Sequence, residues 1–192
     1  MIEHNTVIHA DCIKGMAELQ PASVDFVLTD PPYLVDYRAR DGRTVTNDNN
    51  RHWLRPAFGE IFRVLKPAGF RPVGHIVFRK RYASSTRFLR YQHESAYLLA
   101  KGNPVPPVEP ISDVIDFRYT GNKLHPTQKP VAALKPIITA FCPPGGVVLD
   151  PFAGSGSTLA AAKELGRRYI GFEIDAEHHR TASARLQDNN AA

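Results

Sequence analysis

Cysteine is scarce in this chain. Its 192 residues include two, Cys12 and Cys142, which form no CxxC pair and have no metal-ligand spacing to histidine. A disulfide framework and a zinc ribbon are thereby excluded, and a reduced, cytoplasmic protein without a metal is predicted. Long apolar runs are also missing. None approaches the roughly 20 residues that span a bilayer, and the polar start Met1-Ile2-Glu3-His4-Asn5 is no signal-peptide core. Internal repeats, low-complexity tracts, an interdomain linker and a nuclease-like segment are absent as well. Residues 1–192 therefore read as a single domain with room for a sizeable core.

Acidic residues fall short of basic ones. Asp and Glu number 19 against 24 Lys and Arg, for a formal charge of +5 and a pI near 9.3. A modest basic excess alone is ambiguous between nucleic-acid binding and an ordinary solvated surface. Its distribution is more telling. Within residues 78–94, Arg79, Lys80, Arg81, Arg87 and Arg90 interleave with Phe78, Tyr82, Phe88 and Tyr91. That pattern suits phosphate contact with aromatic support, and a solvated charged face is the alternative. A second basic stretch holds Arg38, Arg40, Arg43, Arg51 and Arg55 and overlaps the polar segment within residues 34–50.

Apolar periodicity outlines the fold. Val24–Asp30 reads as a buried strand that ends at an acidic residue and a Pro-Pro turn. Arg51–Leu65 has helical spacing, stopped by Lys66-Pro67-Ala68-Gly69. His75–Lys80 and Ser95–Ala100 are predicted strands, and Thr127–Phe141 a helix bent at Pro136. Then follow a strand at Val147–Asp150, a helix at Ser155–Leu165, a strand at Tyr169–Ile174 and a helix at Asp175–Leu186. This alternation predicts an α/β fold with a parallel sheet under covering helices.

Two constellations carry chemistry. The first is Val147-Val148-Leu149-Asp150-Pro151-Phe152-Ala153-Gly154-Ser155-Gly156-Ser157, a strand, a small-residue turn and a helix start. Gly154 and Gly156 let backbone approach a ligand, and the helix start offers free N–H donors. Glu173, at the end of the next strand, occupies the place of a carboxylate that grips ribose hydroxyls. The second is Asp30-Pro31-Pro32-Tyr33. It projects an acceptor and a flat aromatic face from the carboxyl edge of the sheet, where open α/β folds bind ligands. An ordinary strand-ending turn is its bland counterpart.

Together with His125-Pro126-Thr127-Gln128-Lys129-Pro130, these motifs resemble the amino-methyltransferases of DNA, the adenine-N6 and cytosine-N4 methylase family. With the catalytic loop first and the cofactor loop last, the order is similar to that of the β group, a permuted form of the Rossmann-like methyltransferase sheet. The resemblance implies S-adenosylmethionine as cofactor and double-stranded DNA as substrate, with pairing of subunits into a homodimer on a short site. Asp30 and the Pro31 carbonyl would accept from the target amine, with Pro32 shaping the loop and Tyr33 stacking on a flipped base. Asp150, Phe152, Gly154, Ser155, Gly156 and Ser157 would line the cofactor, and Glu173 would hold its ribose. Asp11 and Cys12 match the family's Asp-Cys segment near the adenine, although Asp11 reads equally as a helix cap. Thr127 and Lys129 would serve the methionine end.

Asp at the head of the loop favours adenine N6, with cytosine N4 as the alternative. A modification half of a restriction system and a solitary enzyme both suit the resemblance. One departure stands out. Relatives follow the Leu-Lys-Pro helix end with a strand and a helix, roughly 20 residues or more, whereas here Leu65-Lys66-Pro67-Ala68-Gly69-Phe70 runs directly into Arg71-Pro72-Val73-Gly74-His75-Ile76. One strand–helix unit is absent after Phe70, which keeps open an inactive DNA-binding or assembly module as a rival reading.

Overall fold

The computed structural model describes residues 2–36, 38, 42, 44–65, 70–85, 88–121, 124–125 and 127–187, with the side chains of residues 84 and 85 left aside. Strand β1 (Thr6–His9) leads into helix α1 (Cys12–Ala17). Asp11 starts that helix by accepting from the N–H groups of Ile13 and Lys14 at 3.0 and 3.2 Å, a side-chain N-cap worth about 1 kcal/mol. Strand β2 is short, Phe26–Val27, because the chain turns into the Pro-Pro loop before the expected strand can run to Asp30.

Helix α2 (Leu54–Val64) begins a few residues later than the sequence pattern suggested and buries Ala57, Ile61 and Val64 on one face. Each of the two larger side chains contributes about 2 kcal/mol by leaving water. Arg63 ties α2 to the end of α1 by donating to the carbonyls of Leu19 and Met16 at 2.8 and 2.6 Å. The long strands β3 (Phe70–Ser85) and β4 (Arg90–Lys101) extend well beyond the two predicted cores. A short strand, β5 (Val114–Phe117), was not anticipated.

Helix α3 spans Val131–Phe141 with Pro136 inside it, and the preceding Thr127–Pro130 stretch, expected to be helical, lies outside it: Thr127 is in a turn and Pro130 is extended. The C-terminal third follows the sequence reading closely. It comprises β6 (Val147–Asp150), α4 (Ser157–Glu164), β7 (Arg168–Glu173) and α5 (Ala176–Gln187). Asp175 opens α5 by accepting from the N–H groups of Glu177 and His178 at 2.9 and 3.0 Å.

Among the described residues the strands form two sheets. One is parallel, in the order β1-β7-β6-β2, and the other is β4-β3-β5. All four residues of β6 are buried, as required of a strand covered on both faces. Val147 and Leu149 pack toward α1 and α2, while Val148 packs toward α3, α4 and α5. In the second sheet β3 and β4 are antiparallel, with register shifts at Pro72/Gly74 and Arg79/Ser84, and β5 runs parallel to β3. Helix α3 joins the two halves. Its Leu134 and Ile138 face α4, and Ala133 and Ile137 face Ile76, Phe78 and Phe117. The predicted α/β class with covering helices holds. Only residues 65–69 separate α2 from β3 in the chain, too few for a further strand and helix.

Candidate active site

The carboxyl ends of β1, β2, β6 and β7 open into one cavity. Strand β6 ends on Asp150, which is 3% exposed. Its carboxylate accepts from Thr29 Oγ1 at 2.9 Å and from the Phe152 N–H at 3.1 Å. Burial pushes the Asp150 carboxyl up to about 6, against hydrogen bonds from Thr158, Phe152 and Thr29. The turn then passes Gly154 at φ +50°, and a Cβ there would come within 3.4 Å of the His125 ring. The Gly154 N–H donates to Glu173 Oε2 at 2.7 Å, while Glu173 Oε1 accepts from Asp175 at 2.8 Å. A carboxylate has about four acceptor sites, so both oxygens retain capacity toward a ligand.

Several predicted cofactor residues line this cavity: Asp11, Cys12, Thr127, Phe152, Gly154 and Glu173. Asp150, Ser155, Gly156, Ser157 and Lys129 are not among its lining residues. Arg185 donates to the Ser155 carbonyl and to Ser157 Oγ at 3.2 and 3.0 Å, and a Cβ on Gly156 would meet Ala182 at 3.2 Å. These residues set the turn against α5, a task that periodicity along the strand and helix does not reveal. Burial, assisted by Asp11, pushes the Cys12 thiol up to about 12, so it is not a nucleophile near neutral pH.

The loop Asp30-Pro31-Pro32-Tyr33 forms the opposite wall. Asp30 is gripped from two sides. Its Oδ1 accepts from the Tyr33 hydroxyl and its Oδ2 from Lys129 Nζ, each at 2.5 Å. Lys129 also lies 3.3 Å from Glu94 Oε2, and Lys80 lies 2.6 Å from Glu94 Oε1. A row of alternating charges therefore runs Asp30, Lys129, Glu94, Lys80. Glu94 Oε2 is buried, with the Lys129 ammonium as its partner. Burial works against the Lys129 ammonium, but Asp30, Tyr33 and Glu94 outweigh it and raise its pKa. Burial likewise opposes ionised Glu94, whose pKa is nonetheless lowered by Lys129 and Lys80. The Tyr33 hydroxyl is raised by burial and by Asp30.

This network includes two residues for which the sequence suggested other partners. Lys129, assigned by resemblance to the methionine end of the cofactor, is directed at Asp30 and Glu94, because a buried ammonium requires carboxylate partners. Lys80, assigned to DNA, is on the inward side of β3 with Ile76 and Phe78, its side chain 11% exposed. Strand alternation turns Arg79 and Arg81 outward instead. Arg79 is paired with Asp116 at 2.6 Å; Arg81 and Arg90 are exposed. Arg87 lies outside the described residues, as do Tyr37, Arg40, Arg43 and the Lys66–Gly69 helix stop.

The sequence reading passed over several cavity residues. Trp53 packs edge-on against Phe152 with ring centres 5.0 Å apart and donates to the Asn47 carbonyl at 3.1 Å. Asp48, 3% exposed, accepts from the Leu34 N–H at 2.7 Å and holds the chain just after Tyr33. His125 and His178 meet with ring centres 4.3 Å apart. Only His125 had a signal, as the first residue of its motif.

The chain is similar to known proteins in sequence and in fold. Residues 68–184 match the N6/N4 methyltransferase family, described as DNA methylase. The chain is 47% identical over 201 residues to YubD of Escherichia coli (strain K12), which carries the name of a methylase, covering 93% of this chain and 88% of YubD. In fold it is similar to the S-adenosylmethionine complex of M1.HpyAVI, with a TM-score of 0.73 at 24% identity over 95% of this chain and 99% of the other. It is also similar to PvuII DNA methyltransferase, named as cytosine-N4-specific, with a TM-score of 0.76 at 15% identity over 100% and 89%.

Proposed function

Since the chain belongs to the N6/N4 family of DNA methylases, whose members use S-adenosylmethionine, we propose that it methylates adenine at N6 in double-stranded DNA, on a base turned out of the duplex. The observation that carries this reading is the meeting of two distant segments on one cavity. Asp30-Pro31-Pro32-Tyr33 faces Asp11, Phe152, Gly154 and Glu173 across it. The residues fit the cofactor. Gly154 leaves a cradle that a Cβ would narrow, Glu173 keeps acceptor capacity for vicinal hydroxyls, and Phe152 with the half-exposed Ile174 supplies apolar walls. When bound, the cofactor supplies an electrophilic sulfonium methyl.

The protein's part is positioning. Asp30 and the Pro31 carbonyl accept the two N–H bonds of the target amine, which turns the nitrogen lone pair out of the ring and toward the methyl. Lys129 and the Tyr33 hydroxyl fix the Asp30 carboxylate for that purpose. Tyr33 is exposed on its outer side, 58%, and offers its ring to the extruded base. Arg81 and Arg90 contact phosphates. The whole chain acts as one methyltransferase domain, as the sharing of α3 between the two sheets supports, and two copies pair on the site.

Incubation with labelled S-adenosylmethionine and mixed-sequence duplex DNA should place label on adenine N6; label on cytosine overturns the base assignment. Asp30→Ala should lower transfer by about a thousandfold or more while cofactor affinity, read by calorimetry, stays near wild type. A second reading, an inactive module, is favoured by the division between β2 and β4. Intact cofactor binding without transfer to any DNA would select it.

A further inference from the structure

Two strand edges face one another across a gap. Among the described residues β2 is hydrogen-bonded only to β6, and β4 only to β3. Both edges line a single cavity of about 1120 Å³. Helix α2 closes one face through Phe58, Ile61 and Leu65, in the same cluster as Val27. Helix α3 closes the other through Ile137 and Phe141, in the cluster of Phe26 and Leu28. The space has the outline of one strand in a doubly covered sheet, with main-chain edges on two sides and apolar helix faces on the others.

A ladder is already begun there. Val24 and Leu65 form a single parallel bridge, with the Val24 N–H donating to the Val64 carbonyl at 3.1 Å. By Phe70 the chain has entered β3, opposite Lys101. Val73, Tyr97 and Leu99, which also line this cavity, are exposed to 45%, 74% and 44%. Finally, the match to YubD runs over 201 residues, more than the 93% of this 192-residue chain that takes part. Within the matched span that relative has residues which this chain lacks.

We propose that the slot binds a strand donated by a second polypeptide, of different sequence from this chain. The donated segment is extended, about five residues long, apolar on both faces and free of proline, and it runs parallel to β2. An amphipathic helix following it covers Val73, Tyr97 and Leu99. Main-chain pairing to both open edges supplies affinity, and apolar side chains against α2 and α3 supply selectivity. A second copy of this chain is a poor occupant. It offers the edge of a whole sheet, whereas α2 and α3 leave room for one strand. Asp30, Tyr33, Glu94 and Lys129 also line the cavity, so a donated strand lies against the catalytic loop.

The probe is a synthetic peptide with a proline-free apolar strand of about five residues followed by an amphipathic helix, beside a control with proline at alternate strand positions. The full chain should bind the first saturably and ignore the control. Amide exchange at Phe26–Leu28 and Ala96–Leu99 should slow about tenfold or more, and the melting temperature should rise by about 5 °C. Grafting the same stretch between Leu65 and Phe70 should raise the melting temperature similarly and abolish peptide binding. The proposal is overturned by absence of saturable binding, by equal binding of the control, or by a grafted chain that still binds peptide. A dimer in light scattering whose edge amides are protected without peptide overturns it too, in favour of a second copy. None of these readouts requires methyl transfer, so the inference stands or falls separately from the adenine reading.

Discussion

The cofactor side and the target side of the cavity are built in different ways. On the cofactor side, β6, the glycine turn, α4 and β7 are consecutive in the chain, and the glycine turn is locked by the Gly154 to Glu173 hydrogen bond within that unit. Its core is dense: Phe172, Leu149 and Leu159 are fully buried. On the target side, Asp30, Glu94 and Lys129 come from three distant segments and are held by charge. Behind them lies an open slot, and β4 is exposed along much of its outer face. A βαβ unit can complete a cofactor cradle with local pairing. A site assembled from distant charges depends on every partner being present, since removing one leaves another buried and uncompensated.

The comparison can be broken most directly at Lys129. Lys129→Met keeps the length of the side chain and leaves Asp30 and Glu94 facing each other without their shared cation. Loss of one partner of a buried pair costs about 3–5 kcal/mol, so the single-turnover rate should fall about 100-fold or more, with cofactor affinity changed by less than about threefold. If affinity collapses while the rate survives, Lys129 belongs to the cofactor side and the division drawn above is wrong.

The next effect lies in Asp150, where the cofactor side buries an ionisable group. Its folded pKa of about 6 is above the roughly 3.9 of an unfolded aspartate. The folded state thus binds the extra proton in that window. Its contribution to stability is full below about pH 4 and is lost as pH rises through about 6, a span of up to about 3 kcal/mol. Asp150→Asn should flatten this dependence when urea unfolding is compared at pH 4.5 and 7.5. Equal pH dependence in the two proteins would remove Asp150 as its source.

The smallest effects compare packing. A Cβ on Gly171 would lie 2.4 Å from Leu159 Cδ1, whereas one on Gly74 would meet Leu98 at an ordinary 3.5 Å. Gly171→Ala should therefore destabilise by about 1–3 kcal/mol, lowering the melting temperature by several degrees, and Gly74→Ala should change it little. Similar shifts for both would mean that the two sides are equally tightly packed.

Much of the cofactor side was legible in the sequence. The boundaries of β6, α4, β7 and α5 fall within about two residues of those expected from periodicity and glycine placement, because the pairing partners are neighbours in the chain. The target side was legible only in part. Strand β2 is two residues long and exists because β6 lies beside it, and β1, α1 and β5 are too short for a strong periodic signal. The basic, aromatic run at Phe78–Tyr91 read as one surface, but strand alternation divides it, turning Lys80 to Glu94 and Arg81 to solvent.

By itself the sequence determined the class of chemistry, since Asp30-Pro31-Pro32-Tyr33, the glycine turn and Glu173 are local patterns whose residue types dictate what they can hold. It also marked the shortening after Phe70. Only the tertiary structure decided that Lys129 serves Asp30 and Glu94, that Asp150 is a buried node, and that the shortening leaves a strand-shaped slot between β2 and β4. Each of those outcomes depends on charges or edges brought together from far apart in the chain, where desolvation and pairing, not local propensity, set the energy.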